Sequence, residues 1–213
     1  ISSAKAVAIV KRVFDAAKAG HGGTLDPLAS GVLPIALGEA TKTVSYTMGK
    51  SKSYEFSLAW GAETSTDDTE GEVTRQSDIR PSDDHIDWAL AQFQGMIDQV
   101  PPDYSAIKIE GARAYDLARQ ASAGQSLPAL EPRKVQIDQF RRLESDKAGA
   151  RFFVGCGKGA YIRALARDLG RALGSAAHVT SLRRLSVGQF HANHAISLDF
   201  LEKLTHSSAA FEY

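Results

Sequence analysis

Residues Gly20–Gly31 read Gly-His-Gly-Gly-Thr-Leu-Asp-Pro-Leu-Ala-Ser-Gly, four glycines and one proline in twelve positions. Glycine reaches backbone angles that other residues avoid and is costly to order, while proline fixes φ and has no N–H to give a helix or a ladder. The segment therefore predicts a sharply turned loop that regular elements on either side must hold in place. Asp26 stands in this loop directly before Pro27, which biases it away from the helical region. A carboxylate presented in this way can act as a nucleophile or a general base. The same dipeptide also opens ordinary turns, so these residues alone leave both readings open.

The flanking sequence supplies the regular elements. Ser2 or Ser3 caps a helix in which Val7, Val10, Phe14 and Ala17 follow a three-then-four spacing, with Gly20 placed to end it. Val32 to Leu37 predicts a short buried strand interrupted by Pro34, and Lys52 to Trp60 alternates so that Tyr54, Phe56, Leu58 and Trp60 share a face. Glu63 to Glu72 reads as an exposed acidic loop. Ser82 caps a second helix with Ile86, Leu90 and Phe93 inward, ending at Gly95. Beyond Val100-Pro101-Pro102 a strand is expected near Tyr104 to Ile109, then a short helix from Ala112 to Gln120. Two strands, Lys134 to Leu143 and Ala150 to Cys156, lead to a helix over Tyr161 to Leu173 closed by Gly174. A last strand, His178 to Phe190, and a helix capped by Ser197 follow. Hairpins mixed with scattered helices, without βαβ alternation, predict an α+β fold with a mixed, largely antiparallel sheet and flanking helices.

The chain has 213 residues, 43% hydrophobic and 23% charged, which fits one folded domain and excludes disordered and low-complexity classes. Its single cysteine, Cys156, excludes an intrachain disulfide and a multi-thiolate zinc site, so a reducing compartment, the cytoplasm, is expected. There is no apolar run long enough to span a membrane. Lysines and arginines balance aspartates and glutamates at 25 each, but the charges are segregated. Arg151 to Phe190 carries seven bases and one acid, Asp168, whereas Glu63 to Asp87 carries nine acids and two arginines. This pattern suits a phosphate-facing surface opposite a solvated one, or two solvated faces.

Within the basic segment Arg163 stands out, because a cation in the first turn of a helix is electrostatically misplaced unless an anion pairs with it. Tyr54 can belong to the core or stack on a base. Gly157-Lys158-Gly159 is not a phosphate loop, since no Ser or Thr follows the lysine and Phe152 stands where a glycine is required. His191 and His194 have helical ligand spacing but no third ligand nearby, and no nucleophile-elbow motif is present.

The glycine-rich loop, continued through Val32-Leu33-Pro34, resembles the signature loop of the TruB family of tRNA pseudouridine synthases. The resemblance extends in order through Gly38-Glu39-Ala40-Thr41-Lys42, Lys52-Ser53-Tyr54, Val100-Pro101-Pro102-Asp103-Tyr104-Ser105-Ala106-Ile107-Lys108, Gly111-Ala112-Arg113-Ala114-Tyr115, Lys158-Gly159-Ala160-Tyr161-Ile162-Arg163 and Leu182-Arg183-Arg184-Leu185. It is similar to the bacterial stand-alone branch and covers nearly the whole chain. It implies the pseudouridine synthase fold over residues 1–213, without the N-terminal strand and the C-terminal RNA-binding domain of the family.

The activity the resemblance implies is isomerisation of uridine 55 in the tRNA T loop, with neither metal nor organic cofactor. Separately, no apolar helix face in the sequence suggests an obligate dimer, so a monomer is expected. Asp26 maps to the catalytic aspartate, Arg163 to the arginine that keeps it ionised, and Tyr54 to the residue that stacks on the target uracil. Leu182 would pack against the base, and His21 would fill the space that the extruded nucleotide leaves. Lys158, Tyr161 and Arg184 fall on the RNA-contacting side, and the basic segment with Arg167, Arg171 and Arg183 would meet phosphates. A tRNA-folding role on the same surface is the alternative without chemistry. A hydrolase using Asp26 lacks a recognisable water-activating partner.

Overall fold

The computed structural model describes residues 1–105, 108–109, 112–113 and 130–208. In chain order the strands are β1 (Ala19–His21), β2 (Ala29–Gly31), β3 (Ile35–Leu37), β4 (Lys52–Trp60), β5 (Ala62–Thr64), β6 (Val73–Gln76), β7 (Gly95–Gln99), β8 (Lys108–Ile109), β9 (Ala112–Arg113), β10 (Arg133–Ser145), β11 (Gly149–Cys156), β12 (Ala177–Val187) and β13 (Phe190–His191). The α-helices are α1 (Ser3–Val13), α2 (Val44–Met48), α3 (Asp83–Leu90), α4 (Ile162–Ala172) and α5 (Leu198–Ser208). The main sheet has the order β13-β12-β4-β11-β10-β7, with β2 added beside β12. The β12–β13, β10–β11 and β10–β7 pairings are antiparallel, and β2 joins β12 in parallel. The expected α+β class and mixed sheet are thus present. By contact density the chain divides into two compact units, residues 1–54 with 182–213 and residues 55–181.

In the first unit, the Ser2 hydroxyl accepts from the Lys5 N–H at 3.2 Å and starts α1, which buries Ala6 and Val10. The helix stops well before Gly20. Asp15 takes a φ of 43°, a left-handed conformation that aspartate tolerates better than most residues, and this breaks the spacing before Ala17. Gly20 instead lies in β1, paired with Ala36 of β3. The strand expected from Val32 begins only at Ile35, because Pro34 has no N–H and the Val32 N–H is already given to the Arg184 carbonyl at 2.9 Å. The last strand breaks at Gly188, where φ is 54°, leaving β12 and the short β13. Ser197 caps α5 as expected, its hydroxyl accepting from the Phe200 N–H at 3.2 Å.

In the second unit, Phe56, Leu58 and Trp60 lie buried on one face of β4 as their alternation requires. Phe56 stacks on Phe152 with ring centroids 5.3 Å apart, and Phe140 closes the cluster at 6.0 and 5.4 Å from the two. The Ser82 hydroxyl caps α3, and Arg142 of β10 ties the same helix down through Asp87 and Asp83. Helix α4 runs one residue inside its expected limits and buries eight of its eleven residues, Arg163 and Arg167 among them.

The acidic stretch is not an exposed loop. Glu63, Thr64, Asp67 and Asp68 are buried, with Glu63 and Thr64 in a β5–β6 hairpin. The segregated charges meet each other at buried or half-buried carboxylates: exposed Arg171 and Arg75 pair with Glu63, buried Arg167 with Asp67 and Asp168, and buried Arg163 with Asp68. Neither the phosphate-facing nor the solvated-face reading describes these groups. Of the strand expected near Tyr104 to Ile109, only Lys108–Ile109 forms β8, and residues 106–107 lie outside the described residues. Ala112–Arg113 form β9 instead of opening a helix, and residues 114–120 of that expected helix also lie outside the described residues.

Candidate active site

The loop around Asp26 is fixed at several points within the first unit. Strands β1 and β3 close its base through Ala19↔Leu37, Gly20↔Ala36 and His21↔Ile35, and the Gly22 N–H donates to the Pro34 carbonyl at 2.8 Å. The buried Ser3 hydroxyl accepts from the Leu25 N–H at 2.9 Å and donates to the Leu25 carbonyl at 3.2 Å, fixing the residue before Asp26. The Asp26 carbonyl accepts from the Ala29 N–H at 2.9 Å, which closes a four-residue turn over Pro27. Strand β2 then pairs with β12 through Ala29↔Leu182, Ser30↔Arg183 and Gly31↔Arg184.

These contacts place Leu182, 6% exposed, on the strand that carries the outgoing arm of the loop. His21 sits at its incoming arm, with a buried Nδ1 that has no hydrogen-bond partner among the described residues. Tyr54 is buried at the third position of β4, and beside it the Ser53 and Ser186 hydroxyls are 2.6 Å apart. Arg184 is 1% exposed. Its Nε donates to the Val32 carbonyl at 2.7 Å, Nη1 to Thr24 at 3.2 Å and Nη2 to Gly23 at 3.0 Å. An arginine expected among the RNA contacts thus spends these donors on the loop itself.

In the second unit, Lys158, Tyr161 and Arg163 follow one another through the turn after β11 into the start of α4. Lys158 is exposed. Arg163 is 5% exposed; its Nη1 donates to the Thr66 carbonyl at 2.8 Å and its Nη2 to the Tyr104 carbonyl at 3.0 Å, while Nε lies 3.7 Å from Asp68 Oδ2. The misplaced charge of a first-turn cation is therefore met by one carboxylate and two carbonyls. Asp68 is itself oriented, its Oδ1 accepting from Thr66 Oγ1 at 2.5 Å and from the Glu70 N–H at 3.0 Å.

The start of α4 is held by a residue that the sequence does not signal. Gln99 is 1% exposed; its Oε1 accepts from the Tyr161 N–H at 2.8 Å and its Nε2 donates to the Tyr161 carbonyl at 3.1 Å. Tyr161 makes no side-chain cap bond; Gln99 fixes its main chain instead, adding to the bond that the Tyr161 carbonyl accepts from the Leu165 N–H at 3.0 Å. The next residue, Val100, offers its carbonyl to Arg167 at 2.7 Å. Arg183 remains exposed, whereas Arg167 is buried and Arg171 is engaged with Glu63.

The chain's architecture matches solved Cbf5 pseudouridine synthases. It aligns over its full length with an archaeal box H/ACA Nop10–Cbf5 complex at a TM-score of 0.71 and 28% identity, covering 53% of that chain. A Cbf5–Nop10–Gar1 complex matches 90% of this chain at a TM-score of 0.67 and 31% identity, covering 46% of its counterpart. These likenesses define the pseudouridine synthase fold. The model of the TruB family pseudouridylate synthase N-terminal domain matches residues 11–162, and that of the tRNA pseudouridylate synthase B C-terminal domain matches residues 163–211. The chain belongs to the TruB family. It is 52% identical over 213 residues to tRNA pseudouridine synthase B of Bradyrhizobium diazoefficiens and 49% identical to that of Caulobacter strain K31, with all of this chain aligned in both. It spans 61% and 67% of the lengths of those relatives.

Proposed function

We propose that this chain forms the catalytic part of a tRNA pseudouridine synthase that isomerises uridine 55 of the T loop. The observation that carries the reading is Asp26, a carboxylate on an irregular loop clamped on both sides, in a chain about half identical to tRNA pseudouridine synthase B over its whole length. In the reaction the N1 glycosidic bond breaks, the uracil turns, and C5 bonds to the same ribose carbon. C5 loses a proton and N1, freed from the ribose, gains one, so the product is an isomer. Asp26 supplies the lone pairs that start this exchange.

A base inside a folded loop is out of reach of a carboxylate, so the uridine must leave its stack. Tyr54 and Leu182 would hold the extruded uracil by stacking and apolar contact, and His21 would occupy the gap. Arg163 would have the role of favouring the ionised form of the reacting carboxylate, as a guanidinium does. Its anchoring to Thr66, Tyr104 and Asp68 supports a fixed orientation for that task. Exposed Lys158 and Arg183 would supply charge for the RNA backbone, and Tyr161 would be a further substrate contact. Membership of the family supports tRNA as the substrate, and the chain's own residues supply every role named.

The test is release of tritium from C5-labelled uridine in a T stem-loop RNA. Wild-type protein is expected to release label to water, and Asp26→Asn to release none while melting as the wild type does. Retained turnover in Asp26→Asn would overturn the assignment.

A further inference from the structure

Arg184 is the largest fully buried side chain of the described residues, and it lies under the loop that carries Asp26. Taking a guanidinium out of water is costly unless its donors are met. Here they are met by main-chain oxygens on both arms of one loop: Gly23 and Thr24 before Asp26, and Val32 after it. Its own main chain extends the contact, pairing with Gly31 and accepting from the Val32 N–H at 2.9 Å. Gly31 has a φ of 98°, and a Cβ there would lie 2.1 Å from the Arg184 carbonyl oxygen. An irregular loop has no ladder to satisfy its carbonyls or fix its path, and this planar fork does both at once.

We infer that Arg184 is a positioning residue for the reaction: its guanidinium sets the conformation in which the loop presents Asp26, and it makes no contact with RNA phosphate. The inference rests on Asp26 being the reacting carboxylate. A lysine at this position would keep the charge but could not reach three carbonyls on two arms. A displacement of the reacting group by about 1 Å costs on the order of a hundredfold in rate.

The experiment compares steady-state kinetics on a T stem-loop RNA for wild type, Asp26→Asn, Arg184→Lys, Arg184→Ala and Gly31→Ala, each over a range of salt. Arg184→Lys is expected to lower kcat by about tenfold to a hundredfold, with KM within about threefold of wild type and the salt dependence of kcat/KM unchanged. Methylguanidinium, and not methylammonium, should restore part of the kcat of Arg184→Ala, which loss of general stability would not allow. A raised KM with intact kcat, and a logarithmic salt slope reduced by about 0.7 to 0.9, would make Arg184 a phosphate contact and overturn the inference.

If both Arg184 variants fail to fold, Gly31→Ala decides the question, because it disturbs the same junction without removing a charge. A fall in kcat with an unchanged salt slope supports the inference, and wild-type kcat overturns it. Activity in Asp26→Asn would overturn the reading of Asp26 instead. An inactive Asp26→Asn beside a fully active Arg184→Lys would remove the role of Arg184 alone.

Discussion

Arg171 grips Glu63 in two places, donating from Nε to Oε1 at 3.0 Å and from Nη2 to Oε2 at 2.6 Å, while Arg75 holds Oε1 from the other side at 2.7 Å. Burial pushes the Glu63 carboxyl up, but the two guanidiniums outweigh it and leave its pKa below 4.5. Four residues on, burial of Asp67 outweighs Arg167 and Arg163, and its pKa rises from 3.8 to about 6. The two groups therefore act on stability in opposite senses. Glu63 contributes stability that is present above pH 4.5 and lost as pH falls through its lower folded value. Asp67 contributes stability that is present below pH 3.8 and lost as pH rises through about 6. In denaturant melts from pH 4 to 8, Asp67→Asn should gain on wild type as pH rises, by on the order of 1–3 kcal/mol. The advantage of wild type over Glu63→Gln should shrink in acid. A pH-independent difference for both variants would contradict these assignments.

Arg167 is the buried centre of this network, donating to Asp67 at 2.9 Å, to Asp168 at 2.9 Å and to the Val100 carbonyl at 2.7 Å. Arg167→Met removes the charge but leaves Asp67 buried beside it. The expected loss is about 3–5 kcal/mol, because an orphaned buried ion costs more than the pair contributed. Pairing Arg167→Met with Asp67→Leu should return much of that loss, as a double-mutant cycle by chemical denaturation would measure.

Gln99→Leu keeps the volume but removes the Gln99 bonds to the Tyr161 N–H and carbonyl, the carbonyl keeping its bond from the Leu165 N–H. Stability is expected to fall by about 1–3 kcal/mol. Hydrogen exchange should rise first at the amides of Tyr161 to Arg163, ahead of the rest of α4. Uniform loss of protection along the helix would mean that the clamp is not what holds its start.

Ser3→Ala releases Leu25 from both of its hydroxyl bonds. A cost of about 1 kcal/mol is expected, with a lower kcat in the label-release assay and little change in KM. Wild-type kcat in a destabilised Ser3→Ala would separate the anchoring of Leu25 from the placement of Asp26.

Lys158→Ala should weaken binding to a T stem-loop and lower its salt slope by about 0.7 to 0.9, the contribution of one phosphate contact. An unchanged slope would take Lys158 out of the RNA interface.

The glycine-rich loop, the alternating β4 and the capped helices were legible because each follows from local rules: glycine and proline stereochemistry, period-two burial and serine capping. The limits of α1 were not, since Asp15 rather than a glycine takes the left-handed turn. The sequence also misplaced the charges. Nothing local distinguishes a solvated acidic loop from one whose carboxylates meet Arg163, Arg167 and Arg171 about a hundred residues later. Spacing at four-residue steps revealed the arginine stripe of α4 but not what it faces. For the candidate site, the motif identified Asp26, Tyr54, Arg163, His21 and Leu182 as residues to examine. It gave no sign of Ser3 or Gln99, whose contacts are with main-chain atoms and leave no pattern in side-chain chemistry.

Helix α4 buries two arginines besides its hydrocarbon face, and the carboxylates of Asp67 and Asp68 that meet them come from a segment far away in the chain. Drift at these positions is therefore constrained to move in matched sets. A lineage that gives up the arginine at 171 or 167 is expected to have surrendered the glutamate at 63 or the aspartate at 67 with it. Joint exchange, rather than strict invariance of either partner, is the evolutionary imprint that this salt-bridged hairpin should leave.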